Sequence, residues 1–256
     1  FRDLGLSEPM CKALEKKGYG YPTTIQAKAI PEFLQWKDVI AKAPTGTGKT
    51  MAFGIPIIEA IERDSEKVQA VILAPTRELA IQITDEMREV AVCHEGVRIV
   101  CLYGGQPINR QIEALKRRPQ IVVATPGRLS DHMKRRTVVV KDVKTVVLDE
   151  ADRMLDMGFI HDVTRILDKI PNRKNLGMFS ATISREVMDI SWVYQRDPEE
   201  IMVQATKENK PDILQYRIEV EADKKVETIV RILEGEQLER VIIFCNTKGS
   251  TQRLTK

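Results

Sequence analysis

Short apolar runs rich in β-branched residues recur along the first part of the chain, and a turn and a helical pattern follow almost every one. The runs lie at residues 38–41, 68–73, 97–103, 121–124, 143–148, 176–179 and 201–203. Near-continuous apolar strands separated by helices are typical of a parallel sheet that is buried on both faces. We therefore expect a doubly wound α/β domain over residues 1–205.

The character of the sequence changes after residue 203. A polar stretch that includes Pro211 favours a linker, which we place at residues 206–212. A strand-like, a helical and a second strand-like segment follow, at residues 213–220, 225–233 and 241–244. This order predicts the beginning of a second α/β domain over residues 213–256. So short a segment buries too little apolar surface to be stable alone, so we expect an incomplete domain and a chain that is a fragment.

Composition excludes several classes of protein. The 40 Lys and Arg residues against 37 Asp and Glu leave a net charge of +3, which excludes a polybasic tail protein. No apolar run approaches the roughly 18 residues of a membrane span, and none resembles a signal peptide. The 4 cysteines show no CxxC spacing, so we expect them to form neither a cysteine-bound metal site nor a disulfide. We predict a cytoplasmic protein without a membrane partner, whose native residues begin before Phe1.

A glycine-rich loop follows the first predicted strand and opens a helix. In that position the backbone N–H groups of a loop surround phosphate oxygens. We expect Lys49 to reach the β- and γ-phosphates and the Thr50 hydroxyl to hold Mg²⁺. The general pattern has Gly at position 43, so a glycine-rich turn with an exposed lysine is the alternative. The loop consists of Ala43, Pro44, Thr45, Gly46, Thr47, Gly48, Lys49 and Thr50.

Two carboxylates end the predicted strand at residues 143–148. A nucleotide-binding loop needs an acidic partner, and here Asp149 is expected to coordinate Mg²⁺ and Glu150 to orient and deprotonate the attacking water. A solvated acidic pair at a strand end is the alternative. Together with the glycine-rich loop, the pair predicts hydrolysis of a nucleoside triphosphate.

Asp149, Glu150, Ala151 and Asp152 spell DEAD in one-letter code, and the chain resembles the DEAD-box RNA helicases of helicase superfamily two. The resemblance extends over essentially the whole chain. Segments similar to the family's Q motif, motifs I, Ia, GG, Ib, III and IV follow in order at residues 18–26, 43–50, 75–80, 104–105, 125–128, 180–182 and 241–247. The family has Ala at the position of Ala43. The resemblance implies a RecA-like lobe followed by the start of a second one.

The resemblance also implies ATP and Mg²⁺ as ligands. Gln26 is the family's adenine reader, and a single amide matches the N6 donor and N7 acceptor of adenine. Tyr19 or Phe1 is expected to supply an apolar or stacking wall, and Thr23 belongs to the same motif. Beyond these, the ATP-binding residues are those of the glycine-rich loop. The implied catalytic residues are Lys49, Asp149, Glu150 and Asp152, with Thr50 and Asp149 toward the metal.

Two further groups of residues take roles from the family. Asp152 is linked to motif III, in which Ser180, Ala181 and Thr182 couple the nucleotide state to strand separation; from the residues alone, this tripeptide predicts a helix cap. The family's RNA-binding positions are Pro75, Thr76, Arg77, Gly104, Gly105, Thr125, Pro126, Gly127 and Arg128.

The motif Ib residues suit a phosphate clamp. Thr125 is a good N-cap and Pro126 suits the first helical position, which leaves the amides of Gly127 and Arg128 to face a phosphate. The alternative for Arg128 is a solvated side chain. Contacts of this kind predict sequence-independent binding, and the choice of RNA over DNA comes from the resemblance.

We expect an ATP-dependent RNA helicase that couples hydrolysis to local unwinding of a duplex, with little activity in this fragment alone. The alternatives are an ATP-gated RNA clamp or assembly platform and a lobe that is inactive by itself. Ribonucleoprotein or regulatory partners are compatible with either, and no oligomer is implied. Two departures from the family pattern, Thr24 and Pro44, remove no ligand, and the three histidines are expected at the surface or in the core.

Overall fold

The computed structural model describes residues 1–92, 94–204, 214–235, 238 and 240–255. The chain divides into two compact units, Phe1–Lys210 and Pro211–Lys256. The predicted linker at residues 206–212 lies outside the described residues, as does Cys93. The predicted domain boundaries therefore stay predictions.

Seven strands form one sheet in the first unit, and every pair of neighbours in it is parallel. Their order across the sheet is β3-β4-β2-β5-β6-β1-β7. The strands are β1 (Val39–Lys42), β2 (Ala70–Leu73), β3 (Ile99–Leu102), β4 (Ile121–Ala124), β5 (Thr145–Asp149), β6 (Asn175–Ser180) and β7 (Glu199–Met202). The predicted parallel α/β sheet is confirmed, with each of the expected runs contributing one strand.

Helices cover both faces of this sheet. They are α1 (Glu8–Lys16), α2 (Thr24–Leu34), α3 (Lys49–Glu59), α4 (Arg77–Ala91), α5 (Ile108–Leu115), α6 (Pro126–Lys134), α7 (Ala151–Asp156), α8 (Ile160–Asp168) and α9 (Arg185–Tyr194). One apolar cluster contains residues of α1 to α4, and a second contains residues of α6 to α9. Along β2, Val71 and Leu73 belong to the second cluster and Ile72 to the first, because successive side chains of a strand point to opposite faces.

The seat of α2 on the sheet depends on a glycine. A Cβ on Gly177 of β6 would lie 2.3 Å from Cζ of Phe33, so only a residue without a side chain lets this ring pack against the strand. Phe33 and Phe53 both stack at a tilt against Phe179 of the same strand. This contact fixes the helix that carries Gln26 at its amino end.

The second unit contains α10 (Lys225–Gly235) and α11 (Lys248–Leu254), and neither helix has a buried residue. The helix predicted at residues 225–233 is confirmed. The strands predicted at 213–220 and 241–244 are wrong for the part that the structure describes, since residues 214–220 and 241–245 are in no strand. A strand requires a neighbour for its backbone hydrogen bonds, and the described residues of this unit supply none.

Within the described ranges, no helix combines the length and the apolar character needed to cross a membrane.

Candidate nucleotide and nucleic-acid site

All seven strands are parallel, so the loops at their carboxyl ends meet at one edge of the sheet. The strand order divides the motif-bearing loops of this edge into two adjacent halves. The loops after β1, β5 and β6 form what we call the P-loop half. The loops after β2, β3 and β4 form the GG half. The predicted nucleotide residues 43–50 and 149–152 and the predicted RNA residues thus fall on neighbouring parts of a single edge, whereas Phe1, Tyr19, Thr23 and Gln26 precede β1.

The glycine-rich loop turns sharply between β1 and α3. Gly46 and Gly48 have positive φ angles of 77° and 89°, a conformation that favours glycine. Lys49 begins α3 and is 8% exposed, and its Nζ donates to the carbonyl oxygen of Ala43 at 3.1 Å. The Thr47 hydroxyl donates to the carbonyl of Pro44 at 2.8 Å. The interpretation of Lys49 as an exposed surface lysine is therefore wrong.

Gln26 is buried against the glycine-rich loop, with 1% of its surface exposed. Its Oε1 accepts from the amide of Thr23 at 3.0 Å, and its Nε2 donates to the carbonyl of Gly48 at 3.1 Å. A Cβ on Gly48 would lie 2.5 Å from this Nε2 and 3.2 Å from Oγ1 of Thr23. Gln26 therefore supports the loop in this structure, and its contact with adenine stays a prediction.

Asp149 and Glu150 stand at the end of β5. Asp149 is 3% exposed, and burial raises the pKa of its carboxyl to about 6, although the nearby Lys49 opposes the rise. Glu150 has a φ of 47°, a left-handed conformation that is strained for this residue type. Its amide donates to Oδ1 of Asp149 at 3.0 Å, and its Oε2 lies 3.1 Å from Nη1 of Arg153. The pair is not a solvated surface feature.

Ser180 connects three of the motifs. Its carbonyl accepts from the amide of Ala43 at 3.0 Å, and its Oγ accepts from the amide of Asp152 at 3.1 Å. Oδ2 of Asp152 accepts from the Thr182 hydroxyl at 2.6 Å and from the Thr182 amide at 2.9 Å. Burial favours the neutral carboxyl, but the bonds from Thr182 and Ser180 outweigh it and lower the pKa of Asp152.

The interpretation of residues 180–182 as a helix cap is wrong. Ser180 is the last residue of β6, and α9 begins only at Arg185. The cap is Ser184, whose Oγ accepts from the amide of Val187 at 3.3 Å. Ala181 and Thr182 are exposed in the loop between the strand and this cap.

A pocket of about 490 Å³ lies over the glycine-rich loop. Of the predicted residues, its wall includes Tyr19, Gln26, Thr45, Gly46, Gly48, Lys49, Thr50, Asp149 and Glu150. Phe1 does not line it and packs instead against the apolar cluster under α1 to α4. Of the two aromatic residues expected for the wall, the structure therefore places only Tyr19 there.

Helix α4 contributes pocket residues that the sequence did not assign to nucleotide binding, although Leu79 lies within motif Ia. Leu79, Gln82 and Glu86 line the pocket, and Gln82 donates to Oε1 of Glu86 at 2.7 Å. Their spacing of three and four residues places them on one face of the helix. This spacing after motif Ia was the available signal.

The residues near the pocket floor fit a magnesium ion that arrives with a nucleotide. Mg²⁺ is usually held by one or two carboxylates together with substrate phosphates and waters. The hydroxyl of Thr50 and the buried carboxylate of Asp149 line the same pocket. No group of three or more His, Cys, Asp or Glu side chains placed to bind a metal occurs in the ranges that the structure describes.

The GG half presents its glycines outward. Gly104 and Gly105 are exposed after β3, and Gly105 has a φ of 86°. Thr76 caps α4, with its Oγ1 accepting from the amide of Leu79 at 3.3 Å. Arg77 follows it, and its guanidinium lies 4.9 Å from the centre of the Tyr103 ring. Pro75 is buried directly before this cap.

Helix α6 begins as expected, with Thr125 at the N-cap and Pro126 at the first helical position. The Thr125 side chain accepts no capping bond, which corrects that part of the prediction. Its amide instead donates to the carbonyl of Leu102 at 3.0 Å, and its carbonyl accepts from Leu129 at 3.1 Å. The amides of Gly127 and Arg128 thus precede the helical hydrogen bonds.

Arg128 is not a solvated side chain. Its Nη1 donates to the carbonyl of Gln106 at 3.0 Å and lies 3.3 Å from Oε1 of Gln111. His132, also on α6, is fully buried and contacts the same Oε1 at 3.0 Å. Burial, and to a lesser extent the charge of Arg128, lowers the pKa of His132. Sequence reasoning assigned neither Gln111 nor His132 to the site.

The chain was compared with known proteins. Residues 23–190 match the DEAD/DEAH box helicase family. A DEAD-box ATP-dependent RNA helicase CshA from Bacillus cereus is 44% identical over the whole chain, and its counterpart from Geobacillus kaustophilus is 45% identical. The chain covers 49% of the first relative and 55% of the second, so it spans about half the length of the curated relatives it matches.

A solved structure also matches this chain. The crystal structure of a DEAD box protein from the hyperthermophile Methanococcus jannaschii matches with a TM-score of 0.77 and 39% identity, covering 100% of this chain and 68% of that one. It confirms the RecA-like fold expected from the resemblance. Sequence motifs, sheet topology and all three comparisons agree, and the chain belongs to the DEAD/DEAH box helicase family.

Proposed function

We propose that this chain is the ATP-binding lobe of an ATP-dependent RNA helicase. The observation that carries the proposal is the single pocket that contains Lys49, Thr50, Asp149 and Glu150 beside the buried amide of Gln26. A lysine, a hydroxyl and two carboxylates around a phosphate-sized loop are the groups that hydrolysis of a nucleoside triphosphate requires. The names of the relatives support ATP and RNA as the ligands.

Each group has a distinct task in this proposal. The amides of the glycine-rich loop and the Nζ of Lys49 bind the β- and γ-phosphates, for which Lys49 exchanges its bond to Ala43. Thr50 and Asp149 hold Mg²⁺, which neutralises phosphate charge when it is bound. The carboxylate of Glu150 orients a water molecule and takes its proton, which requires release from Arg153. Gln26 and Tyr19 receive the adenine.

The coupling between nucleotide and nucleic acid runs through Ser180 in this proposal. Its carbonyl holds Ala43 at the start of the glycine-rich loop, and its hydroxyl holds Asp152, which also binds Thr182. A shift of the glycine-rich loop on ATP binding therefore moves Ser180, and with it Asp152 of the DEAD sequence and Thr182. Asp152 acts here as a positioning residue.

RNA binds along the GG half through its backbone. Exposed Gly104 and Gly105 allow close approach, the first amides of α6 face a phosphate, and Arg77 and Arg128 add positive charge. These groups recognise phosphate and sugar rather than base edges, so we propose sequence-independent binding.

We further propose a cytoplasmic protein whose remaining half, by analogy with the longer relatives, completes the ATP site.

The test is ATP binding and steady-state hydrolysis by the 256-residue chain, with and without single-stranded RNA. We expect ATP to bind and turnover to be slow, because an arginine supplied from outside a nucleotide site accelerates related reactions by about 10³–10⁵. Absence of ATP binding would contradict the proposal. Unwinding of a duplex by the complete protein distinguishes a helicase from an ATP-gated clamp.

A further inference from the structure

A buried amide lies directly behind the glycine pair. Gln111 of α5 is 1% exposed, and its Nε2 donates to the carbonyl of Tyr103 at 2.9 Å. Its Oε1 contacts Nη1 of Arg128 at 3.3 Å and Nε2 of His132 at 3.0 Å. One side chain thus joins the end of β3 to both ends of α6.

These bonds hold the glycine loop on both sides. Tyr103 immediately precedes Gly104 and is fixed by Gln111, whereas Gln106 immediately follows Gly105 and is fixed by Nη1 of Arg128 at 3.0 Å. Because Gln111 and Arg128 also contact each other, the two anchors form one unit. Within 4 Å of where a Cβ would stand, Gly104 meets no atom and Gly105 meets only Nη1 of Arg77, at 3.9 Å from that position.

The directions of the bonds that Gln111 makes are determined. A carbonyl oxygen only accepts, so the Tyr103 carbonyl must face the NH₂ group of Gln111, and the amide oxygen must face Arg128 and His132. His132 therefore carries a proton on Nε2. Its Nδ1 lies 2.8 Å from the hydroxyl of Thr137. The same hydroxyl donates to the carbonyl of His132 at 3.1 Å, and burial lowers the pKa of His132, which favours the neutral imidazole.

We propose that Gln111, backed by His132, is a positioning residue that sets the glycine loop and Arg128 in the geometry that binds an RNA backbone. Gln111 itself does not touch RNA. The expected effect on RNA affinity rests on the proposed function. The fixation of the glycine loop by Gln111 does not depend on it. The two parts are measured separately.

The chain offers a matched control in a second buried glutamine. Gln120 is fully buried, donates to the carbonyls of Arg63, Ser65 and Gly96, and accepts from the amide of Arg98. It precedes β4 and so lies at the opposite edge of the sheet. Replacing either glutamine by leucine removes a buried amide that bridges loops. The loop held by Gln111 belongs to the proposed RNA site, whereas the loops held by Gln120 do not.

The experiment compares Gln111→Leu, Gln111→Glu and Gln120→Leu with the unchanged chain. Gln111→Glu keeps the shape and the acceptor but loses the donor to Tyr103, and it serves if the leucine variant does not fold. The measurements are the Kd for single-stranded oligo(U) RNA, the Kd for ATP, and amide hydrogen exchange at residues 103–106.

We expect Gln111→Leu to bind RNA about ten-fold more weakly, the size of effect of losing a hydrogen bond to a charged group. Gln111→Glu keeps the acceptor for Arg128 but loses the bond to Tyr103, so its RNA affinity should fall by less, about three-fold. Exchange at residues 103–106 should become faster, while the Kd for ATP stays within about two-fold of the unchanged chain. Gln120→Leu should leave RNA affinity and this loop unchanged, even where it lowers stability.

Two results would overturn the inference. One is unchanged exchange at residues 103–106 in the Gln111 variants; the other is an equal loss of RNA affinity in Gln120→Leu, which would mean a general loss of stability. If the unchanged chain itself does not bind oligo(U), the proposed RNA function fails for this chain. The exchange data then decide whether Gln111 fixes the loop.

Discussion

Asp149 and Lys49 in the P-loop half are 3% and 8% exposed, whereas Arg77 in the GG half is exposed and Arg128 is partly exposed. The P-loop half keeps charges of both signs away from water. In the GG half the cations lie at or near the surface. The Arg77 guanidinium packs against the Tyr103 ring, and Arg128 donates to a backbone carbonyl. Neighbouring loops of one sheet edge thus provide two electrostatic environments.

The difference follows from the chemistry that each half is proposed to perform. Buried charges act more strongly on a transferring phosphate, but burial penalises them until the ligand is bound, as the raised pKa of Asp149 shows. A backbone clamp requires only cations and amides in the right positions, and exposure costs it little. We therefore expect the P-loop half to depend on single residues and the GG half on several weak contacts.

The largest effect is expected for Lys49→Ala. In the proposed complex Lys49 pairs with phosphate, and truncating one partner of a buried charge pair between two binding partners costs about 2–5 kcal/mol, a loss of ATP affinity of about 30-fold or more. RNA affinity should be unchanged if the two halves act separately. The control is Lys42→Ala, at the exposed end of β1, which should bind ATP normally. A titration with fluorescent ATP measures both variants, and near-normal binding by Lys49→Ala would contradict the comparison.

Asp149→Asn should stabilise the ATP-free chain near neutral pH. A folded-state pKa of about 6 lies above the ordinary value of 3.8, so the unfolded state loses this proton first as pH rises. The wild-type chain therefore loses stability between about pH 4 and pH 6, by on the order of 3 kcal/mol in total. Asparagine does not titrate, so the variant should lack this decline.

Urea denaturation at pH 4.5 and pH 7.5, with Asp156→Asn as an exposed control, measures that difference. A variant that is no more stable than wild type at pH 7.5 would show that the burial of Asp149 is already compensated. Added Mg²⁺ and ATP should stabilise wild type and leave Asp149→Asn less affected.

Arg128→Gln should weaken RNA binding by about ten-fold at low salt, since it removes a charged donor to backbone and phosphate. The slope of log affinity against log salt should fall by about 0.7, because the variant neutralises one phosphate fewer. ATP affinity should stay the same. Arg135→Gln, outside the GG half at the end of α6, is the control. Equal RNA affinities for wild type and Arg128→Gln would remove Arg128 from the clamp.

The smallest effect is expected for Thr182→Val. The variant removes a hydroxyl that donates to Asp152, so the free energy of unfolding should fall by about 1 kcal/mol at pH 7. Because the pKa of Asp152 is lowered in the folded chain, this contribution is lost as pH falls through that pKa, below the ordinary value of 3.8. Thermal unfolding at pH 7 and pH 2 tests this, and a difference that is the same at both pH values would contradict it.

The sequence predicted the parallel sheet because its strands are short, apolar and close to the helices that cover them. It also predicted the loop at residues 43–50, since glycine spacing and a following helix are local signals. It did not predict Gln111 and His132, whose bonds join residues 5 to 21 positions apart and carry no local pattern. The prediction of strands in the second unit was wrong because a strand needs a neighbouring strand to pair with, which the alternation of apolar and polar residues does not reveal.

The most direct test of the comparison is to measure ATP affinity without RNA, and RNA affinity without ATP, for wild type, Lys49→Ala, Arg128→Gln and the double variant, so that the proposed coupling through Ser180 does not enter. We predict that Lys49→Ala loses only ATP binding, that Arg128→Gln loses only RNA affinity, and that the double variant shows both losses without further change. A loss of both ligands in either single variant would contradict the division of this edge into two separate halves.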